Sequence, residues 1–180
     1  MGKMITGMNE LKKVLKSYCN KTLLDEDGDN LIIELNEGVD KEVIVRFEAD
    51  NGIELPKDLK ELLLFSNGLN LYGLQIFSIA EMEFFPNAKM LSFHSWGNGD
   101  FDCISVGADY PEGAVVFMSH NEDNTALVSS HLIVWFKEVI SEISKLGTLL
   151  HPLDYDERES EGMYKNVSHQ IDYNGLMVKQ

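Results

Sequence analysis

The order of three short segments constrains the fold of this chain more than any other feature. The first runs from Ile53-Glu54-Leu55-Pro56 to Asn67-Gly68, the second is Trp96-Gly97-Asn98-Gly99-Asp100-Phe101, and the third spans Gly113 to His120. The first reads as a short helix. Leu55, placed before a proline, is pushed out of the α region, and Pro56 suits a first helical turn because its missing N–H costs nothing there. Leu59, Leu62, Leu63 and Phe65 recur at helical spacing, and Asn67-Gly68 offers the left-handed geometry that ends a helix. The second segment is a tight turn into a strand, anchored by Trp96, because glycine opens backbone conformations closed to other residues. In the strand that follows, Phe101 and Cys103 fall on one face, and Asp102 and Ile104 on the other. A phosphate-cradling loop is poorly supported: an aspartate follows where a lysine would be needed. The third segment is a strand, Ala114 to Met118, ending in the polar run Ser119 to Asn124.

After that run, Leu127, Val128, His131, Leu132, Trp135, Phe136, Val139, Ile140 and Ile143 predict one long helix over 127–146, with Gly147 as its cap. Strands are expected near 90–94, 101–106 and 114–118. The last two form an antiparallel hairpin through Asp109 to Gly113, because only a short connection is available. Earlier in the chain, Met8, Leu11, Val14, Leu15 and Tyr18 predict a helix. Lys21–Leu24 and Leu31–Leu35 predict a hairpin turning on Asp27-Gly28. The acids of that turn do not form a calcium loop: the glycine stands fourth, and the twelfth position is Asn36. Residues 41–50 read as a helix, although Val43, Ile44 and Val45 also suit a strand. Leu74–Phe77 predicts a strand, and Ser78 with Glu81 makes a capping box ahead of Met82 and Phe85. Residues 151–161 are acidic and poor in core formers, and Gly175–Val178 predicts a short terminal strand.

Charge excludes several classes of function. The 180 residues carry 30 acids against 15 Lys and Arg, a formal net charge of −15. Between Met90 and Phe136 there is no Lys or Arg, yet six acids lie there: Asp100, Asp102, Asp109, Glu112, Glu122 and Asp123. Nucleic acid and anionic membrane both need cationic side chains to neutralise phosphate, so neither is an expected partner. A basic protein is, since a field of this sign steers cationic partners. No apolar run follows the N-terminus as a secretory signal would, and no stretch is long enough to span a bilayer. Cys19 and Cys103 are far apart without a CxxC pair, which predicts two reduced thiols in a cytoplasmic protein.

The best catalytic constellation is His94, Asp100, Asp102 and His120, gathered near strand ends around the glycine turn. Two imidazoles and two carboxylates can hold a divalent metal, but the spacing matches no metal motif. Cys103 with His120 as base is conceivable. Its aromatic and β-branched neighbours suit an inert core thiol better. His120 is expected to be structural, its ring bonded to the acidic loop beside it. The residues thus assign no catalytic group, metal or cofactor.

The order Ile-Glu-Leu-Pro … Asn-Gly, then Gly-Asn-Gly-Asp, then Val-Val-Phe … His … Trp-Phe-Lys-Glu resembles the SUKH superfamily over about Val39 to Ile143. That group holds bacterial immunity proteins of toxin–immunity systems and fungal regulators of cell-wall synthesis. The resemblance implies an α+β single domain, a curved and largely antiparallel sheet packed by helices, without catalytic residues. It divides the chain into an N-terminal helix and hairpin extension (1–38), a SUKH-like domain (39–150) and an acidic tail (151–180). The implied function is that of a bacterial immunity protein neutralising a cognate toxin domain, with a regulatory scaffold as the alternative. A basic nuclease toxin suits the charge. From charge alone, Asp100, Asp102, Asp109, Glu112, Glu122 and Asp123 are the expected contacts, with Trp96 and Tyr110 as aromatic anchors if exposed.

Overall fold

The computed structural model describes residues 5–19, 23–24, 30–31, 33–71, 74–107, 109–120, 125–146, 169–171 and 177–179. Within them four helices pack with an antiparallel sheet in an α+β fold. The helices are α1 (Met8–Tyr18), α2 (Lys41–Asn51), α3 (Lys57–Phe65) and α4 (Leu132–Leu146). A separate pair, β1 (Leu23–Leu24) and β2 (Asn30–Leu31), precedes the main sheet. The main sheet comprises β3 (Ile33–Leu35), β4 (Leu69–Leu71), β5 (Leu74–Ile76), β6 (Phe84–Phe85), β7 (Met90–Ser95), β8 (Phe101–Ser105), β9 (Val115–Met118) and β10 (Thr125–Ser129). Its strand order is β10-β9-β8-β7-β5-β4-β3. One edge of β7 is shared, pairing with β6 at Met90 and Leu91 and with β5 at His94. A two-stranded ribbon, β11 (His169–Ile171) with β12 (Met177–Lys179), closes the described chain.

Both faces of the β7–β10 region are buried, because successive side chains on a strand point to opposite sides. Leu91, Phe93, Ile104, Val115 and Phe117 belong to the larger core. In it they join Leu11 and Leu15 of α1, Leu59, Leu62 and Leu63 of α3, and Trp135, Phe136 and Val139 of α4. Phe93, Phe117 and Phe136 are fully buried, and burial of each side chain stabilises the fold by about 1.5–3 kcal/mol. The opposite face carries a second cluster of Met90, Cys103, Val116, Met118 and Leu127, covered by Tyr110, Phe85, Ala88 and Phe101. The antiparallel β8–β9 hairpin and the expected division of faces along β8 are both present.

Four local expectations change. The run from Leu127 does not belong to the helix: Thr125–Ser129 pairs with β9, and α4 begins only at Leu132. Ala126-Leu127-Val128 is a continuous apolar run, which suits a strand buried on both faces as well as it suits a helix. Ser78 and Glu81 form only half of a capping box: the Ser78 N–H and hydroxyl both donate to Glu81 Oε2, at 2.8 and 2.7 Å, while the Glu81 N–H donates to the Ser78 carbonyl at 2.9 Å and not to the hydroxyl. They close a turn and start no helix. Asn67-Gly68 does not cap α3, which ends on an extended Ser66; Gly68, at φ 84°, turns the chain into β4. Pro56 stands one place ahead of α3 as its N-cap residue, its carbonyl accepting from Lys60 N at 3.1 Å. Residues 41–51 are helical, as α2. The terminal strand near Gly175 is realised as β12. The Asp27-Gly28 turn, the Gly147 cap and residues 151–161 lie outside the described residues.

Candidate functional site

The glycine turn joins β7 to β8. It is closed by a Trp96 N to Asp100 O hydrogen bond of 3.0 Å, with Gly97 at φ 82° and Gly99 at φ 95°. Asn98 organises it: its Oδ1 accepts from Asp100 N at 3.0 Å, and its Nδ2 donates to Asp100 Oδ2 at 2.8 Å. Asp100 Oδ1 in turn accepts from the His120 backbone N–H and meets His120 Nδ1, both at 2.8 Å. The Asp100 side chain is 3% exposed and that of His120 57%. A buried carboxylate with this many donors is a clamp between the glycine turn and the end of β9, since a buried charge persists only when its oxygens are satisfied. His120 therefore finds its acid across the turn, twenty residues away in sequence.

His94 and Asp102 lie behind this clamp, inside the core. They are cross-strand partners on β7 and β8, and both are buried. The register of β7 shifts between Ser92 and His94. The extra residue of such a bulge re-aims the side chains beyond it, so Phe93 and His94 both meet Trp135. The His94 Nδ1–H donates to the Gln75 carbonyl at 3.0 Å, and its ring meets Trp96 edge-on at 5.0 Å between centroids. Cys103 occupies the other face, wholly buried. Its thiol is pushed well up, by burial first and then by the Asp102 and Glu83 charges. That is the reverse of what a nucleophile needs. The thiol and His120 are not assembled as a pair. Among the described residues, no group of three or more His, Cys, Asp and Glu side chains is placed to hold a metal ion.

The acids singled out by charge do not form one face. Asp100 and His120 sit where β7 hands over to β8 and β9 ends, whereas Asp109 and Glu112 sit on the β8–β9 turn. A five-residue strand separates these ends by roughly 17 Å. Asp100 and Asp102 are buried, which withdraws both carboxylates from the surface. Tyr110 is buried as well, its hydroxyl 2.7 Å from Thr125 Oγ1, so it is a core residue and not an exposed anchor. Trp96 is half-buried against the larger core. Asp109 and Glu112 are exposed. Glu122 and Asp123 lie outside the described residues.

Two features escaped the sequence reading. One is a junction at Ser66-Asn67-Gly68. Ser66 Oγ donates to Gly68 O at 2.7 Å, Asn67 Oδ1 accepts from Ile79 N at 2.8 Å, and Asn67 N donates to Glu37 O at 3.0 Å. The other is a polar row across three strands, with Glu34 opposite Asn70 and Asn70 opposite Gln75. Leu-Asn-Leu and Ile-Glu-Leu carry the alternation that would have betrayed it, but runs of three residues are too short to read.

Among the described residues, no helix is long and apolar enough to cross a membrane. No individual curated protein matches the chain. The family model described as SMI1 / KNR4 family (SUKH-1) matches residues 38–138, more than half of the chain. That span contains the Asn67-Gly68 junction, the glycine turn and the Asp100–His120 clamp. By this match the chain belongs to the SMI1 / KNR4 (SUKH-1) family.

Proposed function

We propose that this protein is a non-catalytic immunity protein that binds a cognate, basic toxin domain and blocks it inside the cell that makes both. The observation that carries the reading is the family match over residues 38–138. The chemistry around the glycine turn supports it: the candidate base, His120, is tied to the buried Asp100 carboxylate that holds two segments together, and the candidate nucleophile is a buried thiol disfavoured as thiolate. A net charge of −15 favours a cationic partner. Contacts are proposed at Asp109, Glu112 and the exposed part of Trp96, together with Glu122 and Asp123. Asp100, Asp102 and Tyr110 are buried and are not proposed as contacts.

The test is co-expression with the toxin domain encoded beside this chain. Growth rescue is expected, and rescue should weaken in Asp109→Lys/Glu112→Lys. Binding of the purified pair should also fall with salt, as for any exposed electrostatic contact. No rescue, with stable binding to a housekeeping protein, would replace this reading with that of a regulatory scaffold. Unchanged affinity of the double variant at low salt would remove Asp109 and Glu112 from the interface.

A further inference from the structure

The outer surface of β3, β4 and β5 bears a groove of about 470 Å³. Its polar lining is Glu34, Asn36, Asn70, Gln75, Ser78 and Glu81. Glu34, Asn70 and Gln75 stand in one cross-strand row. Their neighbours Ile33, Leu69, Leu71 and Ile76 point the other way, into the larger core. Gln75 Nε2 donates to Glu81 Oε1 at 3.3 Å, which extends the row to a second carboxylate. Adjacent strands lie about 4.8 Å apart, so Glu34 and Gln75 are roughly 10 Å apart, with an amide between them. Glu81 is fixed by the Ser78 hydroxyl and N–H, which hold its carboxyl below the usual range and hence charged. Among the described residues, the lining contains no Lys, Arg or His.

We infer that this groove is a docking surface for an extended protein segment bearing lysine or arginine. Charge complementarity selects the occupant: a carboxylate lies toward each end, the Asn70 and Gln75 amides lie between them, and no cation stands among the described lining residues. Side chains on one face of an extended segment recur about every 7 Å, a spacing that lets two cations reach the two ends. The flanking rows are apolar and turned inward, so this strip is the polar part of the sheet face whose other half, across β8–β10, is the smaller core. The inference rests on the basic-partner reading and adds to the contacts proposed above a second surface for the same partner.

The experiment titrates the full chain with tetra-arginine and, separately, tetra-glutamate, following the side-chain amide NMR signals of Asn36, Asn70 and Gln75. Tetra-arginine is expected to shift these signals and tetra-glutamate to leave them still. Glu34→Lys, an exposed substitution, should weaken the tetra-arginine effect about fivefold, the scale of an exposed ion pair. Glu34→Gln should give an intermediate loss, with both variants retaining the parent backbone spectrum. Shifts of equal size over all exposed acids, or an unchanged titration in Glu34→Lys, would overturn the groove. Growth rescue reads the immunity function and the amide signals read the groove, so each can fail without the other.

Discussion

At the scale of single residues, the glycine turn has two glycines with different duties. Gly97 and Gly99 both have positive φ, a conformation that costs a residue with a side chain about 1–2 kcal/mol. Around Gly97 an added Cβ would meet nothing within 4 Å, whereas at Gly99 it would come within 3.0 Å of His120 Cβ. Gly97→Ala should therefore lose only the conformational penalty. Gly99→Ala should lose that and also press on the clamp residue, adding about 1–3 kcal/mol of overpacking. Urea midpoints of the two variants decide it: equal losses would mean that the turn does not pack on His120. Asp100 explains why the position matters. A carboxylate sealed under the turn must keep its donors, so whatever displaces His120 leaves a buried oxygen short of a partner.

At the scale of elements, the best-read parts were those with one apolar face and a marked boundary. Helix α1 buries Met8, Leu11, Val14 and Leu15 at three- and four-residue intervals, and its polar side is wet. Helix α2 was ambiguous because Val43, Ile44 and Val45 are β-branched. Only Ile44 is buried, Val45 is 63% exposed, and the helix end is decided by Gly52 in the left-handed region. Its neighbour Ile53 N reaches back to Glu48 O at 3.1 Å. Strand β10 reads as helix because its apolar residues run on into those of α4 with only Ser129-Ser130-His131 between. The Ser129 hydroxyl bonds the His131 carbonyl at 3.2 Å, a local turn that periodicity does not see. The least legible element is the crossing of segment 36–39 over the end of α3. There Val39 N donates to Leu63 O at 3.0 Å, and a Cβ on Gly38 would fall on the Leu64 carbonyl. Backbone cannot move aside as a flexible side chain can. Gly38→Ala is expected to cost about 1–3 kcal/mol, read as a lowered denaturation midpoint. A loss within about 0.5 kcal/mol, the range of ordinary surface substitutions, would show that the crossing is looser than it stands here.

At the scale of the whole molecule, charge was legible as a total and illegible as a surface. Asp100 and Asp102 lie two residues apart in an acidic stretch, yet the strand sends one into the clamp and the other into the core. Antiparallel hairpins then send Asp109 and Glu112 to the opposite end. The same layering places two weak acids, Cys103 and Tyr110, in the smaller core, where both are held up, mainly by burial. Each is neutral when protonated. A raised folded pKa therefore means that the unfolded chain gives up its proton first as pH rises. The stability these groups contribute is complete below their unfolded values, about 8.5 for the thiol and 10 for the phenol. It is lost as pH climbs from there toward the folded values. In the window where only the unfolded thiol is ionised, the loss runs at about 1.4 kcal/mol per pH unit. Urea unfolding at about pH 8 and about pH 10 should reveal this loss in the parent. Cys103→Ala should flatten the slope over that range although it is less stable at the lower pH, because the titrating group is gone and a small cavity remains. Tyr110→Phe should leave the slope intact up to about pH 10 and reduce it above. If Cys103→Ala keeps the parent's slope, the thiol is not sealed between the sheet and its cover, and the two-sided burial of β7–β10 does not hold in solution.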